Sequence, residues 1–330
     1  MLSDLMTAMI CETWAMRPDW LCRLAVTVET LDAAADYVKT PRKLPKIQGS
    51  VAVLPMFGMI TQRDSVWQDV FGGVSTESLG AAFTAAINHP KVGAVLLDVD
   101  SPGGTISGVP ELADIIYRGA QIKPVAAISN SQMASAAYWL GSQVGANKKA
   151  LVASPSAEVG SIGVYRMHED YSERMAQDGI KVSFLAVPEF KTEANPYEPL
   201  SEEARQHHMQ QVEAGYESFV SAVARGRSVS KTAVKGEFGK GRMFGADDAT
   251  TMGLVDRVAT RNQLLSEMTG TRLDAMEASV LQDDMRHAWV QAMPQQLIDP
   301  KETARREAMQ KRLRYFIREQ PVAMSNDAAT

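Results

Sequence analysis

Val92-Gly-Ala-Val-Leu-Leu-Asp-Val-Asp-Ser-Pro-Gly-Gly104 runs from an apolar stretch directly into a turn carrying two adjacent glycines. Residues 92–99 have too few polar positions for a strand with one wet face. They read instead as a strand buried on both sides, which is what a parallel sheet requires. Working outward, 50–58 is a second buried strand and 75–88 a helix, so the three together form a strand–helix–strand crossover. The pattern continues with a helix over 108–119, a strand over 125–129, a helix over 135–147 and a strand over 150–153. Alternation of this kind predicts an α/β fold around a largely parallel sheet, with function sought at the strand ends.

The flanks differ from this centre. Trp14, Met16, Trp20, Leu21, Leu24 and Leu31 fall near helical spacing, which predicts a helix over 1–38 interrupted at Arg17-Pro18. A basic, proline-punctuated segment, 39–49, follows as a linker. A long helix is expected over 201–228. The chain thus divides into an N-terminal helical arm and linker (1–47), a central domain (48–262) and a helical C-terminal tail (263–330). The tail carries seven basic residues against two acidic ones between 301 and 318, which reads as a solvated face or as a contact surface for assembly or a membrane.

Composition narrows the function. With 45% hydrophobic and 22% charged residues and a net charge of -5, nothing suggests a general nucleic-acid partner. Cys11 and Cys22 form no metal-ligand or redox spacing, so no metal is expected, nor an organic cofactor. No run is long and apolar enough to span a bilayer, and Asp4 and Glu12 stand where a signal peptide would carry basic residues. A cytoplasmic location is the expectation.

Two segments carry candidate chemistry. In Asp100-Ser-Pro-Gly-Gly104, the absence of Cβ atoms at Gly103 and Gly104 allows backbone N–H groups to meet a ligand closely, and such amides stabilise a developing oxyanion. A plain strand-to-helix turn would use the same glycines. In Asn130-Ser-Gln-Met-Ala-Ser-Ala-Ala-Tyr-Trp139, Ser135 opens a helix of small residues, a position that suits a nucleophile. The N–H of Ala136 would then be the second oxyanion donor. Serine is also a preferred helix cap, and Ser129 or Ser131 compete for that role.

A serine hydroxyl needs a base. Among the five histidines only His168 falls in a loop that could return to Ser135. The alternative is a lysine made neutral by desolvation. Lys191, in Val187-Pro-Glu-Phe-Lys-Thr-Glu-Ala-Asn-Pro-Tyr197, has apolar neighbours for such burial, although Glu189 and Glu193 equally suit a surface ion pair.

Together these segments resemble the signal-peptide-peptidase-A family, which shares its fold with the Clp proteolytic subunit. The resemblance covers about 48–260 and rests on five stretches in order: Asp100–Gly104; Ala134-Ser-Ala-Ala-Tyr-Trp139; Pro155-Ser-Ala-Glu-Val-Gly-Ser-Ile-Gly-Val164; Phe190-Lys191 with Pro196; and Gly241-Arg-Met-Phe244 with Gly253-Leu-Val-Asp256. It implies a Clp protease/crotonase-like fold of repeated strand–strand–helix units. It further implies a Ser135/Lys191 dyad with the amides of Gly103 or Gly104 and Ala136 at the oxyanion. The substrates would be proteins or peptides, and the assembly a homo-oligomer. Ala136-Ala137 replaces the Gly-Gly that often follows the serine, and Pro188 replaces a glycine, which leaves specificity open. Lacking the membrane span and duplicated domain of the longer members, the chain is most similar to the phage and prophage branch. Those members trim scaffold and capsid proteins, in host cytoplasm or procapsid. A bacterial cytosolic peptidase, a hydratase of related layered architecture and a non-catalytic scaffolding protein are the competing readings.

Overall fold

The computed structural model describes residues 12–21, 43–64, 68, 72–145, 150–269 and 275–291. In chain order these form β1 (Thr13–Met16), β2 (Lys46–Gln48), β3 (Val51–Phe57), β4 (Met59–Thr61), β5 (Gly73–Ser75), α1 (Thr76–Asn88), β6 (Ala94–Ser101), β7 (Gly103–Thr105), α2 (Val109–Gly119) and β8 (Val125–Ala134). They continue with α3 (Ala136–Gly141), β9 (Leu151–Ala153), β10 (Glu158–Gly160), β11 (Tyr165–Arg166), α4 (Ser172–Gln177), α5 (Glu202–Arg227), α6 (Lys231–Glu237), β12 (Met243–Gly245), α7 (Ala246–Thr251), β13 (Arg257–Val258), α8 (Arg261–Met268) and α9 (Ala275–Gln291).

The α/β class expected from the sequence is what forms. The larger sheet runs β12-β10-β8-β6-β3-β2, with β9 on β8 and β13 on β9. Pairings among β3, β6, β8, β9, β10 and β13 are all parallel, and only β2 and β12 join antiparallel. β3 and β6 are buried along nearly their whole length, as strands covered on both faces must be. Strand–strand–helix units recur: β3 passes through β4 and β5 to α1, and β6 through β7 to α2. The second strands of these units build a smaller sheet, β11-β1-β7-β4-β5.

Local chemistry sets the helix starts. Ser75 caps α1, its hydroxyl accepting from the Ser78 N–H at 3.1 Å, and Ser201 caps α5 in the same way through Ala204. α8 and α9 pack on the same core as the sheet, burying Leu264, Leu265, Leu281, Met285 and Trp289. Gln282 of α9 also accepts from the Ile47 N–H at 2.9 Å.

The N-terminal expectation needs correction. Residues 13–16, placed in a helix by the spacing of Trp14 and Met16, form strand β1 instead. Trp14 and Met16 also stand at a strand's two-residue interval, and two edges, β7 and β11, are there to receive them. Among the described residues of this arm a helical turn occupies 18–21, beginning at Pro18. The remainder of the predicted arm helix and the basic run at 301–318 lie outside the described residues.

Candidate active site

The site sits where β6 and β8 end. β8 stops at Ala134, α3 starts at Ala136, and Ser135 joins them with φ 54° and ψ -118°. Positive φ on a non-glycine residue is strained. The joint is held from three sides. Its N–H donates to the Gly160 carbonyl at 2.9 Å, and its carbonyl accepts from the Trp139 N–H at 2.9 Å. Behind it, the Tyr138 hydroxyl donates to the Leu254 carbonyl at 2.8 Å, while Trp139 stacks on Phe219 with centroids 4.5 Å apart. Ser135 itself is 1% exposed. Among the described residues its Oγ has only a long contact, 3.4 Å to the Gly163 carbonyl, which leaves it free to turn toward a reactant.

The glycine turn meets Ser135 directly. A Cβ on Gly103, whose φ is +98°, would lie 3.0 Å from the Ser135 Cβ and 3.0 Å from the Met16 Cα. Gly104 has no room for a side chain either, because β4 runs against it with the Ile60 backbone. The two amides face different partners. That of Gly103 donates to the Ser101 Oγ at 3.2 Å, and Ser101 in turn donates to the Gly58 carbonyl at 2.6 Å. Gly104 is paired with Ala15 of β1. Ala136, first residue of α3, has an N–H with no acceptor inside its own helix. Ser135, Gly103, Gly104 and Ala136 therefore come together as the sequence suggested.

Nearby charges complete the surroundings. Burial raises the Asp100 carboxyl above its ordinary range, against hydrogen bonds from Ser131 and Gln132 that lower it. Arg17, just beyond β1, pairs with Glu158 at 3.0 Å and donates to Gln132 Oε1 at 3.3 Å.

The two candidate bases are placed differently. Lys191 lies on a single 3-10 turn, Glu189–Thr192, none of whose residues is buried, and it makes no hydrogen bond to Ser135. The chain around it, 178–200, carries exposed apolar side chains, among them Val182, Phe184, Leu185, Val187, Phe190 and Tyr197. His168 Nε2 is buried without a hydrogen-bond partner among the described residues and does not reach the Ser135 hydroxyl. Strand β1, at the site, escaped sequence reasoning. β1 runs antiparallel to both β7 and β11, lying between them across the front of Ser135. The alternation of Trp14 and Met16 about Ala15 was the available signal.

Residues 118–273 match the family described as Peptidase family S49. That stretch, just under half of the chain, is similar to this family. Strand, strained serine and short helix all fall inside the matched region or lead into it. Similar proteins include Head-tail preconnector protein GP5 of Enterobacteria phage P21, 32% identical over 230 residues, covering 70% of this chain and 45% of that protein. Capsid assembly protease C of Escherichia phage lambda is 28% identical over 233 residues, covering 71% and 51% respectively. Protease 4 of Haemophilus influenzae is 24% identical over 222 residues, covering 67% and 34%. The chain spans about half the length of the phage relatives it matches. Among solved structures, a ClpP1 mutant from Listeria monocytogenes aligns with 64% of this chain and 94% of its own, at 13% identity and a TM-score of 0.39. Among the described residues no helix is long and apolar enough to cross a membrane, and no cluster of His, Cys, Asp and Glu is arranged to hold a metal.

Proposed function

We propose that this chain is a serine endopeptidase in which Ser135 attacks the peptide carbonyl. The amides of Gly104 and Ala136 stabilise the oxyanion, and Lys191 takes the serine proton. The observation that carries this reading is the strained, buried Ser135 held against Gly103, with Met16 of β1 against the same glycine. Of the two glycines, Gly104 suits the oxyanion because the Gly103 amide is engaged by Ser101.

Lys191 needs a burial that the described residues of its own chain do not give it. Among the described residues, seven of the eleven exposed large hydrophobic ones fall between Ile180 and Tyr197, around this lysine. An apolar segment of that density favours coverage by a second copy, so Lys191 is assigned to Ser135 of a neighbouring subunit in a homo-oligomer. The relatives named as a capsid assembly protease and a head-tail preconnector protein support a role in phage or prophage head maturation. Scaffold and capsid proteins are then the substrates, in the host cytoplasm or procapsid.

The test is hydrolysis of a reduced, unfolded protein by wild type, Ser135→Ala, Lys191→Ala and an equimolar mixture of the two variants. The reading requires both single variants to be inactive and the mixture to regain part of the activity. Full activity in Ser135→Ala would refute the nucleophile. Full activity in Lys191→Ala would refute the base, and two inactive variants that never complement would place the lysine within one chain.

A further inference from the structure

We infer that the Ala15–Met16 peptide bond is a self-cleavage site: the chain presents its own N-terminal strand to Ser135 as the first substrate. This rests on the serine-peptidase reading above and adds to it a specific bond.

The register carries the argument. The Ile106 N–H donates to the Thr13 carbonyl at 3.1 Å, and the Arg17 N–H donates to the Pro102 carbonyl at 3.0 Å. Between them Trp14 pairs with Thr105, Ala15 with Gly104 and Met16 with Gly103. Antiparallel ladders alternate bonded and non-bonded pairs, so the bonded pairs fall at 13/106, 15/104 and 17/102. The Ala15 carbonyl therefore faces the Gly104 N–H, the amide assigned to the oxyanion. The position that a Gly103 Cβ would take lies 3.0 Å from both the Met16 Cα and the Ser135 Cβ, and closer still to the Ala15 oxygen. The Ala15–Met16 bond is thus the one beside the nucleophile. On the N-terminal side of that bond, β11 closes the second edge, pairing Thr13 with Arg166 and Trp14 with Tyr165. On the other side the chain leaves the sheet at Arg17, which is moored by Glu158 and Gln132.

Side chains sort in the same way. Trp14 and Met16 point to one face, into a small cluster with Leu21 and Met59. Ala15 points to the other, fully buried among residues of the main core. That side accepts a methyl group, so the residue preceding the cut is held to alanine size.

The chemistry balances without a further reactant than water. The Ser135 hydroxyl oxygen bonds to the Ala15 carbonyl carbon while its proton passes to the base, the Lys191 amine. The carbon–nitrogen bond to Met16 breaks, and the base returns the proton to the departing Met16 amine. Water then hydrolyses the Ala15 ester, giving the Ala15 carboxylate and restoring the Ser135 hydroxyl.

The experiment is intact-mass measurement and N-terminal sequencing of the purified full chain over time, for wild type, Ser135→Ala, Lys191→Ala, Ala15→Gly and Ala15→Trp. Each is assayed in parallel for hydrolysis of a reduced, unfolded protein. The expected result is a product beginning at Met16 in wild type and Ala15→Gly. It should form at least tenfold more slowly in Ala15→Trp and be absent in Ser135→Ala and Lys191→Ala. Wild type that hydrolyses the added protein while its own N-terminus stays whole, or is cut elsewhere, overturns the self-cleavage inference and leaves the peptidase reading standing. Cleavage at Met16 that persists in Ser135→Ala overturns both.

Discussion

Replacing Gly104 by alanine tests the geometry of the groove. A Cβ at this position would stand 2.5 Å from the Ile60 carbonyl carbon and 2.7 Å from its nitrogen, where unstrained contacts begin near ~3.5 Å. Either β4 or β7 must retreat by about 1 Å, enough to break an inter-strand hydrogen bond of about 2.9 Å. Overpacking of this kind costs about 1–3 kcal/mol of stability. Misplacing one oxyanion donor slows the chemical step by about 10²–10³. The control is Gly236→Ala, in α6, where a Cβ meets nothing within 4 Å and a helical alanine is worth about 0.5–1 kcal/mol in stability. Urea unfolding midpoints give the first quantity, and kcat for an unfolded protein substrate, normalised to folded enzyme, gives the second. Gly104→Ala should lose both while Gly236→Ala gains stability and keeps its rate. If Gly104→Ala unfolds like wild type, the close approach of β7 to β4 is refuted. If it unfolds earlier yet turns over normally, the Gly104 amide is not an oxyanion donor.

Three further outcomes are expected. Ser135→Gly and Ser135→Ala should both be inactive, but the glycine variant should be more stable by about 1 kcal/mol because it adopts φ 54° without strain; equal urea midpoints would refute the strain. Tyr138→Phe deprives the buried Leu254 carbonyl of its donor and should cost about 1–3 kcal/mol, read from the same unfolding curves, with a change under about 0.5 kcal/mol counting against the bond. For Asp100, burial raises the folded-state pKa above the ordinary carboxylate value, so the folded chain holds this proton more tightly than the unfolded chain. Its contribution is favourable at low pH and is lost as pH rises through the interval between the two values. The Tm advantage of Asp100→Asn over wild type should therefore grow across that interval and vanish below it; an advantage that shrinks as pH rises would show the opposite shift.

What was legible in the sequence was what the backbone itself demands. Gly103 and Gly104 are required by positive φ and by the closeness of Ile60, and such demands leave a local mark that a reader can find. Ser135 and Ala136 stand beside a strand end, so their place followed once the strand was recognised. β8 is longer than the expected 125–129 because Asn130, Ser131 and Gln132, polar enough to suggest a loop, continue in strand conformation where Gln132 pairs with Glu158 of β10. β1 was not legible. Its partners lie about 90 residues away at Gly103–Thr105 and about 150 away at Tyr165–Arg166, and with Trp14 and Met16 flanking Ala15 the apolar spacing fits helix and strand alike. Lys191 shows the opposite limit. Its motif is readable, but among the described residues its turn has no buried member.

The placement of β1 also fixes an order of events. Ser135 is 1% exposed, and the edges of β7 and β11 that an incoming peptide would use are both paired with β1. An added protein cannot add as a strand between them until residues 13–15 leave. If the Ala15–Met16 bond is the first one cut, hydrolysis of an added substrate must begin with a lag whose length follows the appearance of the Met16 terminus. The lag should be independent of substrate concentration, since it precedes binding, and should lengthen at least tenfold in Ala15→Trp. A chain produced from Met16 onward should show none. A lag that persists in that shortened chain would point instead to slow subunit assembly.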